Sequence, residues 1–356
     1  MGPGPSCVPP EIYDAISRPT IGHLDPTFIE IMDQIKVLQQ KVMQTSNHLT
    51  IPMSGTGSAG METCFVNLVE PGDSVLVLIN GVFGQRMTDV ATRLRADVDT
   101  LEFEWGTPVE MDQVKAKLAE KDYKILAVVH AETSTGVANP VAEIGELVKD
   151  KDTLYLVDTV TSLGGMEVKT DEWGMDAVYS GTQKCLSCPP GLAPISFSQA
   201  AINKLKGRQE KVPNWYLDLT MIINYWEGAK RAYHHTAPIN MLYAFYQALA
   251  LIVDEGLDKV FARHQAAHEQ LVAGLGEMGL SLLVQPKYRL PMLNAVTIPD
   301  GVDEAAVRKT LLVDHAIEIG AGLGPLAGKI WRIGLMGHTA RPENVDRLLK
   351  ALKSLL

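Results

Sequence analysis

A series of continuous apolar runs, interleaved with segments of helical periodicity, constrains this chain's fold more than any other feature. The runs are VLVLIN (75–80), ILAVVH (125–130), LYLVD (154–158), AVYS (177–180) and LAPISFS (192–198). A strand with one wet face alternates apolar and polar residues. These runs do not alternate, so both faces of the sheet they form must be covered. Helical patterns near 57–69, 84–95, 110–120 and 140–149 supply the cover. Strands alternating with helices predict an α/β fold built on a mostly parallel sheet.

Upstream, Phe28, Ile31, Met32, Ile35, Leu38 and Val42 recur at helical spacing across about 25–44, and Asp25-Pro26 offers an N-cap followed by an N1 proline. The first ten residues hold four prolines and two glycines and read as an extended arm. From about 238 to 278 the pattern is helical. LNAVTI (293–298), AIEIG (316–320) and IWRIGL (330–335) then alternate with helices near 303–313 and 341–355, the last amphipathic through Val345, Leu348, Leu349 and Leu352. This shift predicts a smaller C-terminal α+β domain, and 356 residues are enough for two domains. The expected division is an arm over 1–22, a large domain over 23–256 and a small domain over 257–356.

No apolar run approaches the roughly 18 residues a membrane span needs. The net charge of −10 repels phosphodiester backbones. Neither a membrane nor a nucleic acid is therefore an expected partner. Four cysteines (Cys7, Cys64, Cys185, Cys188) are too few for a disulfide scaffold, and the opening residues carry no basic-then-apolar leader. The expected compartment is the cytoplasm, with import into an organelle as the open alternative.

Three short motifs carry chemistry. In SGTGSAG (54–60), small residues open a helix, leaving backbone N–H groups free to hold a phosphate. Gly55, Gly57 and Gly60 match a dinucleotide fingerprint, but the next strand ends in Asn80 and not in the acid a ribose needs. Asp158 closes the run LYLVD, at the sheet edge where α/β proteins bind ligands. Lys184 follows AVYS within a loop of small residues, where desolvation frees an amine as a nucleophile. Singly, each reads more simply as a tight turn, a cap or a surface lysine. Together they form the minimum set for pyridoxal 5′-phosphate: a cup for the phosphate, a carboxylate for the pyridine nitrogen, and a lysine for the aldehyde.

With those motifs in view, the chain resembles the class V, fold-type I aminotransferases, in particular the alanine–glyoxylate and serine–glyoxylate (serine–pyruvate) group. The resemblance spans MGPGPS, SGTGSAGMET, NGVFGQR, ETSTGV, VDTVTSLGG, SGTQKCLSCPPG, YHHTAP, GLGPLAGKIWRIGLMG and RPENVDR, in the family's order. It implies a large cofactor-binding domain with a seven-stranded, mostly parallel sheet. It implies transfer of the amino group of alanine or serine to glyoxylate or pyruvate. The alternatives within the family are 2-aminoethylphosphonate–pyruvate and pyridoxamine–pyruvate transamination.

Carried over by motif, Lys184 resembles the Schiff-base lysine and Asp158 the partner of the pyridine nitrogen. Thr56, Gly57 and Ser58 fall in the phosphate cup, with Gln183 reaching the same group. Phe83 falls where an aromatic ring, in many relatives Trp, stacks on the cofactor, and Ser58 stands where some relatives carry His. Thr133 is matched to the ring hydroxyl, and Arg332 to the substrate carboxylate. Tyr233 and Thr236 match residues that reach the neighbouring subunit's phosphate, which implies a homodimer with shared sites.

Other candidates read as structural, and no metal is expected. Cys185 and Cys188 form one C-x-x-C without the second pair a structural zinc needs. His264 and His268, four apart, read as histidines on a solvated helix face. His234 and His235 read as loop packing.

Overall fold

A computed structural model describes residues 1–228 and 231–356. The main sheet uses strands β1 (Leu49–Ser54), β2 (Ser74–Ile79), β3 (Asp97–Glu102) and β4 (Ile125–Val129). A small hairpin follows, β5 (Ala131–Glu132) with β6 (Val137–Ala138), before β7 (Leu154–Asp158), β8 (Ala177–Tyr179) and β9 (Leu192–Phe197) complete the sheet. Its seven strands lie in the order β1-β9-β8-β7-β4-β2-β3. β9 pairs antiparallel with both β1 and β8, and the other pairs are parallel. Strands β1, β2, β4, β7 and β8 therefore all end on one edge.

The expected apolar runs all fall on strands, and β4, β8 and β9 are buried along their length. β3 was not expected from the sequence. Its residues, DVDTLE, are half exposed on the outer edge, where charged side chains discourage pairing with other chains.

Helices cover the sheet as the periodicity requires. α1 (Pro10–Ile16) and α2 (Pro26–Met43) are followed by α3 (Gly57–Leu68), α4 (Val82–Arg93), α5 (Met111–Glu120), α6 (Val141–Val148), α7 (Gln199–Lys206), α8 (Leu219–Trp226) and α9 (Ile239–Glu255). Asp25 caps α2 by accepting the Thr27 N–H at 2.9 Å, with Pro26 at the first helical position. α1 lies within the stretch expected as an arm. It buries Ile12 and Ala15, so only the residues ahead of Pro10 are extended.

α10 (Leu257–Glu277), α11 (Glu304–His315) and α12 (Pro342–Lys353) pack with a three-stranded antiparallel sheet of β10 (Leu293–Thr297), β12 (Ile330–Gly334) and β11 (Gly320–Ala321). The strand expected over 316–320 survives only as β11. Ala316 takes a left-handed backbone that stops α11, and Ile317 and Ile319 are buried as core residues rather than paired. One hydrophobic core runs from Ile12 to Val260 around the large sheet, and a second from Ala267 to Leu352 around the small one. Among the described residues no helix is long and apolar enough to cross a membrane.

Candidate active site

The shared strand edge gathers the expected residues because each motif directly follows a strand. SGTGS closes β1, NGVF follows β2, HAETST follows β4, DTVTS follows β7 and SGTQK follows β8. Five stretches far apart in sequence therefore meet on one rim, where open α/β sheets bind ligands.

Asp158 is the last residue of β7 and is 2% exposed. Its register partner on β8, Tyr179, donates its hydroxyl to Oδ2 at 2.7 Å, and the Val160 N–H donates to Oδ1 at 2.7 Å. Burial nevertheless pushes the carboxyl up to about 7, because two donors do not replace the lost water and the nearby Glu132 adds repulsion. A cation at this carboxylate would reverse that shift.

Lys184 is buried in the loop between β8 and β9. Burial, aided by the Arg332 charge, lowers its amine to about 8. The extended residues ahead of α1 form a strap across it. The Lys184 amine donates to the Pro3 carbonyl, Ser6 Oγ donates to the Lys184 carbonyl at 2.6 Å, and the Ser6 N–H donates to the Gln183 carbonyl at 2.8 Å. Gly4, at φ +100°, leaves no room for a side chain, since a Cβ would lie 2.7 Å from Lys184 Cδ. The strap also reaches β12, where the Gly334 N–H donates to the Met1 carbonyl at 2.7 Å.

Arg332, on β12, is 9% exposed. Nε donates to the Ala321 carbonyl at 2.7 Å and Nη1 to the Thr133 carbonyl at 3.3 Å. Among the described residues no carboxylate forms a salt bridge with it, and burial lowers its pKa. A buried guanidinium without a counter-ion is disposed to take an incoming carboxylate.

Thr56 is the N-cap of α3 and its side chain makes no capping bond. Gly57 is buried, with room for a Cβ limited by Val160 at 3.3 Å, whereas Thr56 and Ser58 are exposed. Gln183 has a buried Oε1 with no partner, close to Gly181, which itself abuts Gly57. Thr133 is buried, its hydroxyl in contact with that of Thr161. Phe83 is half-buried in the first turn of α4.

Tyr233 and Thr236 stand apart from this cluster. Both are exposed, their hydroxyls 3.3 Å apart, in a loop whose His235 Nε2 meets Ser54 Oγ at 2.7 Å. His234 stacks on Trp215 at 4.4 Å.

His264 and His268 are not on a solvated face. Both are buried, because α10 packs against α9 and α12 and turns these two side chains to β10 and the loop before α12. His264 Nδ1 lies 2.7 Å from the Val260 carbonyl, and Nε2 accepts the Gly337 N–H at 2.9 Å. His268 Nδ1 meets Asn294 Oδ1 at 2.6 Å. Cys185 and Cys188 are buried, and desolvation pushes each thiol up to about 12, which disfavours a redox role.

Sequence reasoning missed three features of the site. Tyr179 braces Asp158, but a tyrosine in an apolar strand reads simply as core. Glu132 is fully buried beside Phe83, although in ETSTG it resembles an ordinary loop acid. The strap was read as an arm, with nothing to indicate that it would cross Lys184.

The pocket fits a planar phosphorylated pyridine in several independent respects. Thr56 makes no side-chain capping bond at the start of α3, and the Gln183 side chain lies beside that helix start through Gly181. Among the described residues Asp158 forms no salt bridge, and Lys184 offers a lowered amine. Comparison with known proteins gives the same direction. The class-V aminotransferase family matches residues 11–348. The alanine–glyoxylate aminotransferase of Nostoc sp. superposes with a TM-score of 0.98 at 50% identity, covering 100% of this chain and 94% of that one. The alanine–glyoxylate aminotransferase of Mus musculus is 41% identical over 100% of this chain and 87% of its own length. The (S)-ureidoglycine–glyoxylate transaminase of Bacillus subtilis (strain 168) is 39% identical over 100% and 90%. This chain belongs to the class-V aminotransferases, fold-type I enzymes that work through pyridoxal 5′-phosphate.

Proposed function

We propose that this enzyme transfers the amino group of a small L-amino acid, alanine foremost, to glyoxylate, with the cofactor held on Lys184. The observation that carries this reading is the juxtaposition, at the buried rim, of the Lys184 amine with the guanidinium of Arg332 on β12, which among the described residues has no carboxylate partner. Small monocarboxylic acids suit it, since Lys184 and Arg332 are the cations brought together there among the described residues and the reading gives each a task.

When bound, the cofactor supplies an aldehyde carbon to accept the amino group and a protonated ring into which charge can spread. Lys184, titrating near 8, is partly neutral at neutral pH, so its amine can take the substrate's α-proton and return it. Asp158, fixed by Tyr179 and Val160, would keep a proton on the ring nitrogen of a bound cofactor and would gain a cationic partner by doing so. Arg332 has its Nε and Nη1 anchored, so the fork presents its remaining N–H groups to a carboxylate and orients the α C–H bond for proton loss. The Gly57 and Ser58 N–H groups, Thr56 and Gln183 would hold the phosphate, Phe83 would lie against the ring, and Thr133 would meet its hydroxyl.

The exposed pair Tyr233 and Thr236, flanked by exposed Trp215 and Tyr216, supports a homodimer in which each copy completes the other's phosphate site. The separation of the two cores near Val260 supports a boundary between a cofactor-binding domain over 23–256 and a small domain over 257–356, whereas Ile12 and Ala15 tie the proposed arm over 1–22 to the large core. The unpaired cysteines agree with the reducing cytoplasm proposed as its compartment.

The mouse and B. subtilis relatives share glyoxylate in their names and differ in donor, and the 50%-identical Nostoc protein favours alanine. The test is a donor panel of alanine, serine, (S)-ureidoglycine, pyridoxamine and 2-aminoethylphosphonate against glyoxylate and pyruvate, with donor loss, glycine and new oxo product quantified. Glycine formed at the expense of alanine is the expected result. Absence of turnover with alanine and serine, with pyridoxamine or 2-aminoethylphosphonate consumed instead, overturns the assignment.

A further inference from the structure

Helix α4 carries Phe83 in its first turn but has no local cap. Its N-cap residue is Gly81, which has no side chain to offer. The first N–H groups of a helix need acceptors, usually from a Ser, Thr, Asp or Asn at that position. Here they come from residues about fifty positions away. The Val82 N–H donates to Ser134 Oγ at 3.1 Å, and the Phe83 N–H donates to Glu132 Oε2 at 3.2 Å. The Gly84 N–H also reaches the Glu132 carboxylate. Ser134 ties the arrangement together, its hydroxyl donating to Glu132 Oε1 at 2.6 Å and its N–H to the same atom at 3.0 Å.

Both residues are fully buried. The glycine at position 81 is what admits them, since a Cβ there would lie 2.4 Å from Glu132 Cδ and 2.5 Å from Ser134 Oγ. A carboxylate at a helix N-terminus is also favoured by the helix dipole, so the end of α4 is already engaged and unavailable to the phosphate. The acceptors come from the β5–β6 hairpin, which also carries Thr133 and, through its carbonyl, Arg332.

We propose that Glu132 and Ser134 are positioning residues: a cap supplied from a distant hairpin that fixes the Phe83 ring against the cofactor. The inference rests on the reading of Phe83 as the stacking residue. It predicts energetic coupling between Glu132 and the Phe83 ring, which a carboxylate serving only global stability would not show.

The test is a double-mutant cycle on the dissociation constant of pyridoxal 5′-phosphate, titrated into cofactor-free protein by absorbance and fluorescence, with thermal midpoints recorded in parallel. Glu132→Gln keeps the shape and one acceptor but turns an amide NH2 toward the Phe83 N–H. Phe83→Ala is expected to weaken binding about tenfold. Glu132→Gln is expected to weaken it by a comparable factor in the Phe83 protein, and by less than about twofold in the Phe83→Ala background. Equal weakening in both backgrounds overturns the inference while leaving the stacking reading intact. An unchanged constant on Phe83→Ala alone sinks the stacking reading and this inference with it. Should Glu132→Gln fail to fold, the same cycle with Ser134→Ala decides, the cap predicting a smaller coupling of the same sign and an absent one refuting it.

Discussion

Asp158→Asn in the cofactor-free protein isolates the cost of burying that carboxylate. In the unfolded chain an aspartate titrates near 3.9, whereas here it is pushed up to about 7. Between those values the folded protein holds a proton that the unfolded chain has released. The stability tied to this group is therefore fully present below about pH 4, declines as pH rises, and is lost once pH passes about 7. The slope is at most about 1.36 kcal/mol per pH unit and halves at the folded pKa, so from about pH 5 to about pH 7 wild type loses ~2 kcal/mol through this residue. Asparagine does not titrate, and it keeps an acceptor for the Tyr179 hydroxyl or the Val160 N–H. The stability of Asp158→Asn relative to wild type should thus rise by ~2 kcal/mol over that interval and level off above about pH 8. Urea unfolding of both cofactor-free proteins, at one fixed protein concentration across the pH series, measures this difference and cancels the titration of other groups. Adding cofactor should reverse the ranking at neutral pH, because a cation at the ring nitrogen lowers the Asp158 pKa and stabilises wild type alone. A relative stability that stays constant from about pH 5 to about pH 8 would refute the argument that Asp158 lacks a cation.

Arg332→Lys keeps the charge but loses the fork and the anchor at Ala321, so KM for the amino acid should rise by about 10- to 100-fold with a smaller change in kcat; an unaltered KM removes Arg332 from substrate binding. Covalent capture of pyridoxal 5′-phosphate by the cofactor-free protein needs the neutral Lys184 amine, so its rate should climb with pH through about 8 and then flatten. Stopped-flow absorbance checks this, and a pH-independent rate counts against Lys184, as does a borohydride-fixed label on any other peptide. Gly4→Ala places a Cβ 2.7 Å from Lys184 Cδ at a backbone angle of φ +100°. It should lower stability by about 1–3 kcal/mol and weaken cofactor binding, and wild-type values for both would mean the strap moves freely.

The parts of the site readable from sequence are those where a motif directly follows a buried strand. Lys184, Asp158 and Gly57 qualify because a continuous apolar run fixes where the strand ends, and the rim follows from there. β3 escaped because an edge strand need not be apolar. Its parallel pairing with β2 comes from backbone groups that leave little trace in composition. His264 and His268 look solvated by polarity, yet each turns one ring nitrogen to a group contributed by the small sheet and its loops, Gly337 for His264 and Asn294 for His268. Such partners lie 26 or more residues away, beyond the reach of any local pattern. Glu132 did leave a signal. A helix that starts at Gly81 without a local cap requires acceptors from elsewhere, and the nearest polar cluster on the same rim is ETST.

The four charged residues buried on this rim divide by what each still lacks. Lys184 and Arg332 are lowered, and Asp158 and Glu132 raised, with burial the leading cause in every case. They act on one another through space, and among the described residues none joins another in a salt bridge, so each desolvated group depends on whatever other partners it has. Glu132 has found its partners inside the chain: the Phe83 N–H and both donors of Ser134. Asp158 has two neutral donors but no cation, Arg332 has two carbonyls but no anion, and Lys184 has a single carbonyl. On the proposed function the missing partners would be a protonated ring nitrogen, a substrate carboxylate and an aldehyde, the three groups that the cofactor and an amino acid bring. Burial alone therefore does not mark a functional charge here. An incomplete set of partners does, and by that criterion we propose that Glu132 supports the site while the other three perform its chemistry.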